Sequence, residues 1–129
     1  METKQISKTR RITAWVLVWL LTALFLLSSS KKFMAISNPD AEMYKNFVKW
    51  GLEGKLMVVA IGELIAAILF LIPRTSSLGF LLLTAHFGGA IATHFEHGEN
   101  YFPIVIILIL IWIAHYLRNP EMLASFSKK

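Results

Sequence analysis

The sequence predicts an all-α fold: a membrane four-helix antiparallel bundle with an additional short amphipathic helix in the first extracytoplasmic loop. Three observations predict it. Four apolar stretches, Ile12–Leu27, Leu56–Ile72, Leu78–Ala92 and Tyr101–Leu117, each approach the roughly 20 residues that cross a hydrocarbon core about 30 Å thick. The chain is 56% hydrophobic and only 16% charged, and "IVIILILIWIA" carries no polar residue on any helical face, as a soluble bundle would. The connections joining the last three stretches are short, which makes their helices antiparallel neighbours. Strands are set aside because the runs lack the alternation of a lipid-facing barrel, and backbone amides in lipid must bond within their own segment.

With 129 residues the chain reads as one transmembrane domain, 1–129. Residues 1–11 are a basic, polar lead, and with the apolar run behind it this resembles the first two regions of a signal peptide. The run is followed by "SSSKKF" rather than a small-x-small cleavage site, so a retained helix is expected over about 12–30. The one long connection covers roughly residues 28–54. Within "NPDAEMYKNFVKWGLEGK", Met43, Phe47 and Trp50 fall at helical spacing, while Asp40, Glu42, Lys45, Asn46 and Lys49 supply the polar side. This predicts an amphipathic segment over 39–51, capped by Asn38 or Asp40 around Pro39, lying in the interface or folded over the bundle. The second span, about 54–72, ends at Pro73, and Thr75, Ser76 or Ser77 of "PRTSS" is expected to cap the third, about 77–94. "HFEHGEN" then leads to the fourth, about 101–118. Gly62, Ala66 and Ala67 on the second span and Ala85, Gly88 and Gly89 on the third predict close approach of these two helices.

The net charge of +5 sits on the flanks, in "KTRR" and "SKK", which suits membrane orientation and lipid head-group contact rather than nucleic-acid binding. There is no cysteine, which removes disulfide exchange, iron–sulfur ligation, thiolate zinc sites and a cysteine-pair thiol oxidase. Lys4, Lys8, Arg10, Arg11, Arg74, Arg118, Lys128 and Lys129 give eight positive charges on one side. Lys31, Lys32, Lys45, Lys49 and Lys55 give five on the other. The balance puts both termini in the cytoplasm, and the expected location is the inner (cytoplasmic) membrane of a bacterium.

Two ionisable residues, Glu63 and His86, fall near the middle of the spans. Glu63 lies roughly 15 Å from the end of its helix at Pro73, and His86 roughly 13.5 Å from the start of its own at Ser77. Antiparallel neighbours bring them to nearly the same depth, as an intramembrane polar pair. A buried carboxylate needs such a partner, for register or for carrying a proton or polar ligand. His86, Ala90, His94 and His97 share one helical face, yet His94 sits about 12 Å outward of His86, too far for one metal ion to bind both. His94, Glu96, His97 and Glu99 form an outer-mouth polar cluster, read as a solvated helix end with no metal assigned. His115 lies roughly 9 Å from the level of His86, which argues against haem between them. With Tyr116, Arg118 and Trp112 it reads as an interfacial belt. Trp15, Trp19 and Trp50 supply either packing or a planar aromatic surface for a quinone or lipid cleft. No catalytic residue is assigned.

The stretch "GELIAAILFLIPRTSSLGFLLLTAHFGGAIATHFEHGE" resembles the DoxX-like family of small four-helix membrane proteins through Gly62, Glu63, Ile72, Pro73, Arg74, Gly79, Gly89, Ala90 and His94. "SSSKKF" is similar to the family's Ser-Gly-x-x-Lys-Leu-like element, with Lys32 matching, a serine in place of the glycine and Phe33 in place of the leucine. The resemblance covers about residues 12–118. It implies an accessory or assembly subunit of a redox or other multi-protein membrane complex, since the family is named for a subunit associated with a thiosulfate:quinone oxidoreductase. Protein partners or a homo-oligomer within the lipid bilayer follow, with quinone as the cofactor to test. Two alternatives stand beside it: a quinone-reactive oxidoreductase subunit in which Glu63 and His86 transfer a proton, and a small-molecule or metal-ion carrier using the His94/His97 mouth.

Overall fold

Each apolar run folds as a helix, for the backbone groups of such a run have no other partners within lipid. The computed structural model describes residues 7–126, and among them there is no strand. Helix α1 spans Lys8–Ala35, capped by Ser7, whose Oγ accepts from the Arg10 amide at 3.1 Å. It continues straight through "SSSKKF", where the sequence predicts a helix end. Serine is tolerated there because its hydroxyl can bond within the helix, as Ser30 Oγ does by donating to the Leu26 carbonyl at 2.8 Å. The extension keeps Ser28, Ser29 and Lys32 on a helix instead of in a loop.

Helix α2, Glu42–Lys49, is the amphipathic segment. Neither predicted cap is used: Ala41 occupies the capping position, and Asn38 Oδ1 accepts from the Asp40 amide at 3.2 Å in a turn before the helix. Phe47 is buried with Ala35 and Leu56 in a small cluster that also takes up Tyr44, Trp50 and Leu52. Gly51 and Gly54, at φ 76° and 82°, turn the chain from α2 into α3.

Helix α3, Leu56–Leu71, passes through a 3₁₀ turn at Pro73–Thr75 into α4, Ser76–Glu96. Thr75, one of the three candidates, occupies the capping position of α4, but its hydroxyl does not bond the first amides of that helix. Pro73 has no N–H to give the Leu69 carbonyl four residues back, and Thr75 Oγ1 takes that place, donating at 2.8 Å. Ser76 Oγ donates to the Pro73 carbonyl at 3.1 Å. Helix α5, Phe102–Arg118, begins with Pro103 in its first turn, and a 3₁₀ segment, Pro120–Phe126, follows.

Helices α1 and α4 each pack against both α3 and α5. The shared core is built on Val18, Phe25, Phe70, Leu83 and Ile111. Close approach of α3 and α4 depends on Gly79: a Cβ there would lie 2.2 Å from the Phe70 amide nitrogen. The stripes singled out in the sequence behave differently. Ala66 and Ala67 are buried, but a Cβ on Gly62, Gly88 or Gly89 would meet nothing within 4 Å, and Ala85 and Gly89 are exposed. The crossing lies beside the short turn, where the connection forces the helices together.

Large apolar side chains stand exposed on each long helix, among them Leu20, Val58, Leu81 and Ile106. The four long helices are unequal. Lys8–Ala35 and Pro73–Glu96 are long and apolar enough to cross a membrane, whereas Leu56–Leu71 and Phe102–Arg118 are shorter apolar helices of 16 and 17 residues. Of the charges counted for orientation, Lys4, Lys128 and Lys129 lie outside the described residues.

The belt expected at the end of α5 also divides. Trp112 and Tyr116 are exposed, but His115 is buried and stacked on Phe80, ring centroids 4.2 Å apart and nearly parallel. Arg118 turns inward to the carbonyls that end α3. Its Nη1 donates to Leu71 O at 3.1 Å and its Nη2 to Phe70 O, with the guanidinium 5.2 Å from both the Trp15 and Phe70 rings. Those carbonyls lose helical partners where the chain turns, and the guanidinium replaces them.

Candidate functional site in the helix interior

Glu63 is fully buried in the middle of α3. Its Oε1 accepts from Lys32 Nζ at 2.9 Å, Ser28 Oγ at 3.2 Å and Ser29 Oγ at 3.3 Å. Lys32 Nζ also donates to Ser28 Oγ at 2.8 Å. These three side chains reach Glu63 because residues 28, 29 and 32 share one face of the extended α1. Burying a carboxylate is costly unless it is paired and hydrogen-bonded, and Lys32 with the two hydroxyls meets that need.

His86 approaches from α4, with Nε2 3.7 Å from Glu63 Oε2. The structure therefore brings Glu63 and His86 to one depth, but His86 is not the principal partner. That role belongs to Lys32, which the sequence reading counts as a loop charge. The signal was present in the four-residue spacing of Ser28 and Lys32, legible once the apolar helix is carried through the serines.

A cavity of about 520 Å³ opens from this group. Ser28, Lys32, Glu63 and His86 form its polar end, and Phe87, Gly89, Ala90, Ile104 and Ile107 of α4 and α5 form a mostly apolar wall. Helix α2 covers it with Met43, Asn46, Phe47 and then Trp50. Gly89, expected to serve helix packing, lines the cavity instead, with Ala90 beside it.

The cover is fastened at the α4–α5 loop. Glu99 accepts from Lys49 Nζ at 2.5 Å and from Trp50 Nε1 at 2.9 Å, and the Trp50 ring lies 4.9 Å from that of His94. The Lys49 hydrogen bond, reinforced by Trp50 N–H and by the Lys49 charge, holds the Glu99 carboxyl below the ordinary carboxylate range against the opposing effect of desolvation. His94 Nδ1 bonds the Ala90 carbonyl at 2.9 Å, leaving Nε2 3.9 Å from Glu99 Oε1.

The four outer-mouth residues thus separate. His94 and Glu99 belong to the fastening, His97 Nδ1 bonds the Thr93 carbonyl at 2.8 Å, and Glu96 is exposed. Among the described residues, no group of three or more His, Asp or Glu side chains is arranged to hold a metal ion. The tryptophans divide between two places: Trp15, which also stacks on Arg118, and Trp19 line an apolar groove along α1, while Trp50 lines the cavity. The inner pair and the outer mouth lie at different depths, as the spacing predicts. One cavity joins them, with His86 at its inner end and His94 at its outer end.

The family model described as the DoxX-like family matches residues 16–116, and the chain belongs to that family. No match was found among curated proteins or among solved structures. Family membership and the apolar helices together point to an integral membrane protein in contact with the lipid bilayer.

Proposed function

We propose that this DoxX-like protein is an accessory subunit of a quinone-linked membrane complex, and that it holds a quinone-type head group in the cavity beside Glu63. The observation that carries the reading is the cavity itself: Lys32, Glu63 and His86 gathered at the inner end of a mostly apolar pocket. Its volume, about 520 Å³, falls within the roughly 300–1,000 Å³ of small-molecule sites, which pair apolar walls with a few convergent polar groups in this way.

The surrounding architecture is that of an antiparallel four-helix membrane bundle forming a single domain. Two contacts between α3 and α4, Glu63 with His86 and Phe70 with Gly79, lie symmetrically about the Pro73–Thr75 turn. Arg10 near the start of α1 donates at 3.1 Å to the Tyr116 and Leu117 carbonyls near the end of α5. Apolar side chains exposed on all four long helices suit a hydrocarbon surround. Lys32 and Arg118 both turn inward, which takes one charge from each side and leaves seven against four, a balance that still favours cytoplasmic termini.

When bound, a quinone supplies paired electron and proton transfer. The residues of this chain supply the rest. Lys32 and the serine hydroxyls fix the Glu63 carboxylate, His86 stands beside its second oxygen as a proton donor or acceptor, and α2 keeps bulk water from the polar end. With no cysteine the chain has no thiol or iron–sulfur electron carrier of its own, which suits a subunit that relies on a redox partner. The metal-carrier alternative draws no support from the mouth, where His94 and His97 bond separate carbonyls.

Purification in mild detergent, followed by quinone extraction and identification of co-purifying proteins, tests the proposal. Bound quinone and a redox partner are expected, with Glu63→Gln lowering turnover of the complex while assembly is unchanged. A monodisperse protein lacking both quinone and partner would overturn it.

A further inference from the structure

We infer that the cavity selects the reduced, hydroxyl-bearing form of the head group, with Glu63 Oε2 as the atom that discriminates. The inference rests on the quinone reading above and adds a redox preference to it.

Three buried side-chain atoms lack a hydrogen-bond partner among the described residues: Thr22 Oγ1, Glu63 Oε2 and Arg118 Nε. Only Glu63 belongs to the cavity lining. Its side chain is 1% exposed and belongs to the cavity lining, so a partner for the free oxygen has to come from the cavity side. All three donors within reach, Lys32, Ser28 and Ser29, converge on Oε1. His86 Nε2, at 3.7 Å, stops short of hydrogen-bonding distance to Oε2. The pocket therefore presents a buried acceptor with its own donors already committed to the other oxygen.

A donor that the ligand brings satisfies such an acceptor, and a second acceptor does not. A quinone carbonyl is itself an acceptor, and set against a carboxylate oxygen it brings two lone pairs together. A quinol hydroxyl donates, and a hydrogen bond to a charged acceptor is about twice as strong as one between neutral groups. His86, on the cavity side of the same oxygen, is placed to contact the hydroxyl oxygen once the O–H is turned to Glu63. Gly89 and Ala90 leave room beside the ring, and Ile104 and Ile107 line the wall along which an isoprenoid tail would lie. A site that rejects acceptor-only analogues by leaving its buried polar atom unpaired discriminates more sharply than one that relies on shape.

Ubiquinone-1 and ubiquinol-1, titrated anaerobically into the full chain in detergent with Trp50 quenching as the readout, provide the test. Wild-type protein is expected to bind the quinol about tenfold or more tightly than the quinone. In Glu63→Gln the amide oxygen keeps the Lys32 and serine bonds while the amide nitrogen becomes a donor at the position of Oε2, so the preference should be abolished or reversed. Equal affinity, or tighter quinone binding by the wild type, overturns the selectivity and leaves the quinone reading standing. Binding of neither form overturns both. Should Glu63→Gln fail to assemble, as judged by detergent size exclusion, the wild-type comparison alone decides.

Discussion

At the turn end of α3 and α4, Arg118 sits between two aromatic rings and gives its donors to the carbonyls of Phe70 and Leu71, while Gly79 lets the two helices touch. At the other end Lys32 and Glu63 are buried more deeply than Arg118, and there the unpartnered atom, Glu63 Oε2, belongs to a residue that lines a cavity. The same helices thus carry buried charge for two purposes. At the packed end the cation replaces helix-end hydrogen bonds that the chain itself has lost. At the open end the ion pair is over-supplied with donors on one side and unsupplied on the other, an arrangement that stabilises little and leaves something to be bound.

Breaking the ion pair tests that contrast most severely. Lys32→Ala leaves Glu63 as an uncompensated buried charge and should cost about 3–5 kcal/mol, read as a fall in detergent Tm. Removing both charges, Lys32→Met with Glu63→Gln, should restore much of that stability without restoring the preference for the quinol. A double variant no more stable than Lys32→Ala would mean that the pair is structural after all. Next in size is Gly79→Ala, whose Cβ would meet Phe70 backbone, for about 1–3 kcal/mol by overpacking and with ligand affinity unchanged. Arg118→Ala, which uncovers the last carbonyls of α3, should cost about 1–3 kcal/mol, again without a binding phenotype. A loss of ligand binding in either packed-end variant would erase the distinction between the two ends.

The smallest effect is expected at the fastening of α2. The Glu99 carboxyl titrates below its unfolded value, so the fastening contributes fully above the ordinary carboxylate range and is lost as pH falls through the lowered pKa. Hydrogen exchange of the α2 amides, corrected for intrinsic rate, should show protection unchanged on mild acidification and falling only once pH drops below the ordinary carboxylate range. In Glu99→Gln that pH dependence should disappear. Persistence of the dependence would assign it to another group.

The helices were legible because hydrophobicity in lipid leaves the backbone one solution. The equal depth of Glu63 and His86 was legible because Pro73 and Thr75 close a turn too short to allow slippage. What the sequence concealed came from polar residues near helix ends. "SSSKK" has the composition of a loop, and the serines disguised a helix that runs on and delivers Lys32. His115, beside Tyr116 and Arg118, has the company of an interface residue, and only its stacking on Phe80 places it inside. Small residues on α4 were read as helix contact, whereas the same lack of side chain also makes room. In each case the residue type was informative and the partner was not, because the partner lies on another helix.

The small cluster under α2, centred on Ala35, Phe47 and Leu56, shares no buried residue with the main core. The connection between α1 and α3 thus rests on the last residue of one helix and the first of the next, apart from the main core. Because it also covers the cavity, a change on α2 meets the entrance to the cavity before it meets the core.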